Sequence, residues 1–146
     1  MNLVIQRINS CKLSVDGVEK ANVGFGLLIL VGVHKNDTFA EADWLAKKLA
    51  TLRIFKDENN KINKSILDVS GDALIVSNFT LLANIQSGTR PDFSQSGDKC
   101  HAKEVYLRFV EKFKEAGIKN VQIGCFGEHM HLETNLDGPY TIMLNK

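Results

Sequence analysis

Apolar runs and apolar stripes divide this chain into strands and helices. Residues 2–8 read as a first strand. Residues 12–15 and 18–23 read as a hairpin, because Asp16-Gly17 between them supplies the positive φ of a tight turn. Residues 27–33 are a continuous apolar run, which suits a strand covered on both faces. Asp37 or Thr38 can cap a helix, and Glu41 stands three residues after Thr38 to close a capping box. Phe39, Ala42, Leu45, Ala46, Leu49 and Leu52 then mark one face of that helix. Residues 57–61 are a polar turn, and 73–82 are expected as a central strand. Residues 84–99, with Gly88, Pro91 and Gly97, form a loop long enough to be functional or mobile. A second helix is expected from about 102 to 116. Its covered face is Ala102, Val105, Tyr106, Phe109, Val110 and Phe113, and Gly117 stops it. Residues 121–123, 130–135 and 140–144 close the chain as strands. The pattern predicts an α+β fold, an antiparallel-rich or mixed sheet covered by two helices.

Length and composition narrow the function classes. The 146 residues, 44% hydrophobic and 24% charged, fit one soluble globular domain spanning 1–146. A formal net charge of +1 argues against a protein that grips a long phosphate backbone, so any RNA contact should be local. Cys11, Cys100 and Cys125 are odd in number and widely spaced, which points to reduced thiols in the cytoplasm. No signal-peptide pattern precedes the first strand. The longest apolar stretch, residues 25–33, is far shorter than the ~20 residues that span a bilayer.

Familiar catalytic signatures are absent: the chain has no HExxH, CxxC, P-loop or GxGxxG. His129 and His131 would share a face of a strand and could in principle hold a metal, but no third ligand is evident. Cys125, beside Phe126, reads as packing. Cys100 and His101, taken as strand neighbours, would point to opposite faces.

Two short segments carry more than fold. Ser77-Asn78-Phe79-Thr80-Leu81 follows the apolar run at 73–76. Asp137-Gly138-Pro139-Tyr140-Thr141 holds one of the chain's two prolines, between two expected strands. A Gly-Pro step is rigid, lacks the proline N–H and can be cis at modest cost. By chemistry alone the first reads as a strand end with satisfied hydroxyls and the second as a hairpin turn. Together they resemble the signature pair of the D-aminoacyl-tRNA deacylases, formerly called D-tyrosyl-tRNA deacylases. That family hydrolyses the ester joining a wrongly charged D-amino acid to tRNA. Its Ser-Gln-Phe-Thr-Leu pattern is matched except at Asn78, which keeps the amide on a shorter side chain. Its Asn-X-Gly-Pro-X-Thr pattern is matched at Gly138, Pro139 and Thr141. Leu136 stands where the leading asparagine would be, and Asn135 lies one residue earlier.

The resemblance implies a cofactor-free, metal-free cytoplasmic enzyme acting on the 3′ end of aminoacyl-tRNA. It also implies an obligate homodimer whose sheets pack together in a barrel-like arrangement. Ser77, Phe79 and Thr80 would form the catalytic segment, with main-chain N–H groups suited to an oxyanion and Thr80 positioning rather than attacking. Gly138 and Pro139 would reach into the partner's pocket and exclude L side chains by rigid backbone. Asn78, Phe126 and Met130 would bind the terminal adenosine, although core packing remains an alternative for Phe126. Arg7 would brace the Gly-Pro turn, with Thr141 also in support, although an arginine on the surface of a strand remains the alternative for Arg7. The Arg90-Pro91 step would lie near the tRNA entrance. Lys99, Lys103, Lys112, Lys114 and Lys119 could guide phosphate or form a solvated helix face. Mischarged glycyl-tRNA, with no side chain to exclude, would also be a substrate. Two further readings stay open: a non-catalytic module that binds tRNA ends or another small ligand, and a metal hydrolase built on His129 and His131.

Overall fold

The computed structural model describes residues 1–86 and 88–146; Ser87, inside the expected long loop, lies outside the described residues. One long strand, β1 (Asn2–Val15), organises the sheet. Its first half pairs antiparallel with β3 (Gly26–Gly32) and its second half with β2 (Val18–Val23). The hairpin turn at Asp16-Gly17 has φ of 50° and 76°, the left-handed backbone that this dipeptide tolerates. Beyond β3 the sheet continues with β6 (Asp72–Ser77) and β7 (Val121–Ile123), both parallel to their neighbours. Along its other edge β1 pairs antiparallel with β8 (His131–Asn145). A short hairpin, β4 (Phe55–Lys56) with β5 (Ile62–Lys64), stands apart from this sheet.

The sheet curls almost into a barrel. Its ends meet through a side chain: Gln122 on β7 accepts from the Asn22 N–H of β2 and donates to the Asn22 carbonyl, each at 2.8 Å. Alternate side chains of the apolar strands separate into two cores. Leu27, Ile29, Val31, Ala73 and Ile75 pack beneath the helices α1 (Phe39–Ala50) and α2 (Lys99–Glu115). Leu28, Leu74 and Val76 point the other way and join Ile8, Cys11, Leu13, Ala21 and Val23. The apolar run at 27–33 is therefore covered on both faces, as its composition predicts.

Several expected boundaries move for local reasons. The two strands expected at 2–8 and 12–15 are one continuous strand with register shifts near Ile8 and Ser10. Those expected at 130–135 and 140–144 are likewise one strand, β8. Thr38 caps α1 with the full capping box, whereas Asp37 accepts from the His34 N–H and the Met1 ammonium. Phe39 is half exposed on the first turn of α1, off the covered stripe. The helix α2 begins at Lys99, three residues earlier than expected, because the Asp98 carboxylate caps it by accepting from the Cys100 and His101 N–H groups. Cys100 and His101 thus sit on a helix, not a strand. The central strand ends at Ser77, and Phe79–Leu82 form a single 3₁₀ turn. No helix among the described residues is long and apolar enough to cross a membrane.

Candidate active site

The expected site residues divide between two places. A cleft of about 650 Å³ opens beside the 3₁₀ turn. Its floor is Leu28 and Leu30 from β3, Val76 from β6, and Leu132 and Thr134 from β8. Its walls carry Ser77, Asn78 and Phe79 on one side and the turn from Phe126 to Met130 on another. Ser96, Gly97, Lys99 and Ala102, at the entry to α2, complete it. An apolar floor with a few convergent polar groups is the form a small-ligand site takes.

The first motif enters this cleft because strand β6 stops there. Asn78 has extended backbone and caps the following turn: its Oδ1 accepts from the Thr80 N–H at 3.1 Å and from the Thr80 hydroxyl. The Phe79 N–H has no acceptor among the described residues. Of the two main-chain donors expected there, Thr80 is engaged and Phe79 is available. Thr80 itself is exposed and does not line the cleft. The Phe79 ring packs edge-on to Phe93 at 5.0 Å, and its carbonyl accepts from the Ser96 hydroxyl at 3.3 Å. The long loop is thereby tied to the motif.

Phe126 and Met130 line the opposite wall. The Phe126 ring rests on Tyr106 at 5.7 Å between centroids. Tyr106 is buried, donates to the Ile75 carbonyl at 2.8 Å, and has its ionisation pushed up by burial. Met130 has room because position 124 is glycine; a Cβ there would lie 2.8 Å from the Met130 sulfur. Cys11 lies under the floor with its thiol 3.2 Å from the Thr134 hydroxyl, and burial raises its pKa above the ordinary value. Glu128 and His129 stand on the rim. His131 is exposed beside Glu133, and no cluster of three or more metal-ligating side chains occurs among the described residues.

The second motif lies elsewhere. Between Leu136, opposite Ile8, and Thr141, opposite Gln6, residues 137–140 leave the ladder as a projecting turn. The Gly138-Pro139 peptide is cis, and Gly138 has φ of 135°. A Cβ at Gly138 would fall 2.4 Å from the Tyr140 nitrogen, so only glycine fits. Arg7 fills the space beneath. It is 5% exposed, with its Nη1 donating to the Ile54 carbonyl at 2.9 Å and its guanidinium 4.3 Å from the Tyr140 ring centre. Its Nε lies 3.0 Å from the Asp137 carboxylate, close enough for an ion pair but off the N–H direction of a hydrogen bond. Arg7, Gly138, Pro139 and Thr141 do not line the cleft of their own chain.

Sequence reasoning missed the supports of the site. Gly124, Tyr106 and Asp98 carry no motif, and their roles emerge only once the second helix and the turn after β7 meet. The signal that marks the Asp98 cap is an Asp standing just before the apolar stripe of α2.

Comparison with known proteins relates the chain to one family. A family model described as D-Tyr-tRNA(Tyr) deacylase matches residues 4–145. A D-aminoacyl-tRNA deacylase of Thermosipho melanesiensis is 45% identical over 99% of this chain and 97% of its own. One of Thermomicrobium roseum is 43% identical over 99% of this chain and 94% of its own. Among solved structures, one described as c-Myc DNA Unwinding Element Binding Protein superposes with a TM-score of 0.94 at 32% identity, covering 100% of this chain and 99% of that one. Another, described as a probable eukaryotic D-amino acid tRNA deacylase, superposes with a TM-score of 0.86 at 20% identity, over 99% of this chain and 98% of that one, and shares the fold.

Proposed function

The chain belongs to the D-Tyr-tRNA(Tyr) deacylase family, and on that footing we propose that it hydrolyses D-aminoacyl-tRNA to free D-amino acid and tRNA. Mischarged glycyl-tRNA is a second substrate. The observation that carries this reading is the cleft itself. Ser77, Asn78 and Phe79 face Phe126 and Met130 across an apolar floor, with a main-chain N–H at Phe79 that no group among the described residues accepts.

Water adds to the ester carbonyl, the bond to the ribose oxygen breaks, and that oxygen takes up the proton. The adjacent ribose 2′-OH assists water or the departing oxygen. The protein supplies orientation and a donor where negative charge develops, a contribution of about 3 kcal/mol per donor. Thr80 is a positioning residue: its hydroxyl donates to a neutral amide oxygen, which is no base.

Gly138-Pro139 supplies selectivity from a second copy of the chain. The turn projects from β8 outside its own cleft. The same strand exposes Met143 at 80% and Leu136 at 41%, apolar area that a partner would cover. In such a homodimer each turn enters the other's cleft, where stiff backbone leaves no room for an L side chain. The enzyme works in the cytoplasm without metal or cofactor.

Deacylation of D-tyrosyl- and L-tyrosyl-tRNA tests the proposal. Rapid loss of the D ester with the L ester spared supports it; equal hydrolysis of both, or of neither, defeats it. A second reading, binding of a nucleic-acid end without turnover, draws on Asn78, whose amide oxygen is folded back onto Thr80 and not presented to a ligand. Stoichiometric binding without release of amino acid would favour it.

A further inference from the structure

We propose that Lys99 is a phosphate-binding residue of the cleft, holding the phosphate on the 5′ side of the terminal adenosine. The assignment rests on the deacylase reading for what lies in the cleft, and on the structure for why Lys99 reaches it. Of the lysines on and just after α2 that could attract phosphate, only Lys99 lines the cleft. Lys112 is paired with Glu115 at 2.6 Å. Lys99 takes part in none of the ion pairs among the described residues. The neighbouring Asp98 carboxylate is occupied in capping α2.

Its position is held by packing. Lys99 is the first residue of α2, and its stem lies across the turn at Gly127. Gly127 has φ of 82°, and a Cβ there would be 3.2 Å from the Lys99 Cε and 3.4 Å from its Nζ. Glycine at 127 both makes the turn and leaves the channel that the stem occupies. Phe126, the ring expected to take the adenine, is the residue immediately before Gly127. An adenosine stacked on Phe126 would therefore leave its ribose, with the 5′ phosphate, beside the Lys99 ammonium. With a net charge of only +1, the chain has little long-range pull on RNA, so one placed cation at the mouth matters more. Lysine serves here as a point charge, which suits a single phosphodiester.

The chemistry makes a test that does not require turnover. 5′-AMP carries the phosphate in question and adenosine lacks it. By calorimetric titration the wild-type dimer should bind 5′-AMP about tenfold more tightly than adenosine, as expected for one charged hydrogen bond. Lys99→Ala should abolish that preference, and Lys99→Arg should retain part of it. In deacylation, Lys99→Ala should lower kcat/KM for D-tyrosyl-tRNA more than for 3′-D-tyrosyl-adenosine, chiefly through KM. The slope of log KM against log salt should fall by about 0.7. Equal affinity of the wild type for 5′-AMP and adenosine, or an undiminished preference in Lys99→Ala, overturns the assignment. A preference for 5′-AMP that depends on Lys99, in a protein that cleaves neither ester, would uphold Lys99 and defeat the deacylase reading instead.

Discussion

The Asn78 carboxamide oxygen accepts both the N–H and the hydroxyl of Thr80, two residues along. The cap holds the 3₁₀ turn Phe79–Leu82 and, with it, the direction of the Phe79 N–H. It also commits the Thr80 proton to an acceptor that cannot remove it. Thr80→Ala should therefore slow single-turnover deacylation of D-tyrosyl-tRNA by roughly tenfold to a hundredfold, the scale of a lost positioning contact. A loss of 10⁵-fold, about 7 kcal/mol of barrier, would mean that the hydroxyl is the nucleophile. Asn78→Ala should cost more than Thr80→Ala, because it removes the acceptor of both bonds while Thr80→Ala keeps the N–H that Asn78 caps, and the double variant should cost little more than Asn78→Ala.

Gly138→Ala should damage chirality before it damages folding. The added Cβ meets the Tyr140 nitrogen at 2.4 Å, and the φ of 135° is outside the range of an L residue. The turn must then move, at a cost of about 2 kcal/mol, which reaches the core only through Tyr140 and the Arg7 contacts at its two ends. Tm should fall by a few degrees. The ratio of D- to L-tyrosyl-tRNA hydrolysis should fall by an order of magnitude or more. An unchanged ratio in a folded variant would remove the turn from the selectivity mechanism.

Much of the fold was legible because it rests on local signals. The capping box at Thr38, the Asp16-Gly17 turn and the two-sided apolar run before Gly32 each name their structure within a few residues. What escaped was long-range. Nothing near residue 10 announces that β1 runs on unbroken, since its continuity comes from pairing with β8 over a hundred residues later. The residues at 79–82 have the composition of a strand but turn because Asn78 caps them. In the site, Ser77, Asn78, Phe79, Phe126 and Met130 converge on one cleft, while Arg7, Gly138, Pro139 and Thr141 form a separate cluster. A sequence carries no sign of that division, which follows from β8 leaving its ladder opposite Arg7.

Arg7 links two segments by three contacts: the Ile54 carbonyl after α1, and the turn at 137–140, where it meets Asp137 at the start and the Tyr140 ring at the end. Arg7→Ala leaves a buried carbonyl without its donor and a carboxylate without its cation, and should destabilise the chain by about 2 kcal/mol. Arg7→Lys should recover little, because an ammonium cannot span the three contacts that the planar guanidinium makes. Denaturant unfolding of both variants, read beside their D/L ratio, checks this. If Arg7→Lys restores both, the brace is simple charge.

Stability should also fall on the alkaline side, for a reason buried beside the cleft. Burial raises the pKa of Cys11 above its usual 9.0 and that of Tyr106 above its usual 10.0. Both groups are neutral acids in the folded chain. Once pH passes 9.0 for the thiol and 10.0 for the phenol, the unfolded chain releases protons that the folded chain retains. Folding stability is thus intact below those values and declines as pH rises through and beyond them. Cys11→Ala removes the first contribution and Tyr106→Phe the second. At neutral pH Tyr106→Phe should cost about 1 kcal/mol for the lost hydrogen bond to Ile75. Near pH 11 that deficit should shrink or reverse, because phenylalanine has no proton to lose. Urea titrations of wild type and Tyr106→Phe at neutral and alkaline pH would measure the difference. A deficit that stays constant across the two would mean that the buried phenol does not couple ionisation to folding.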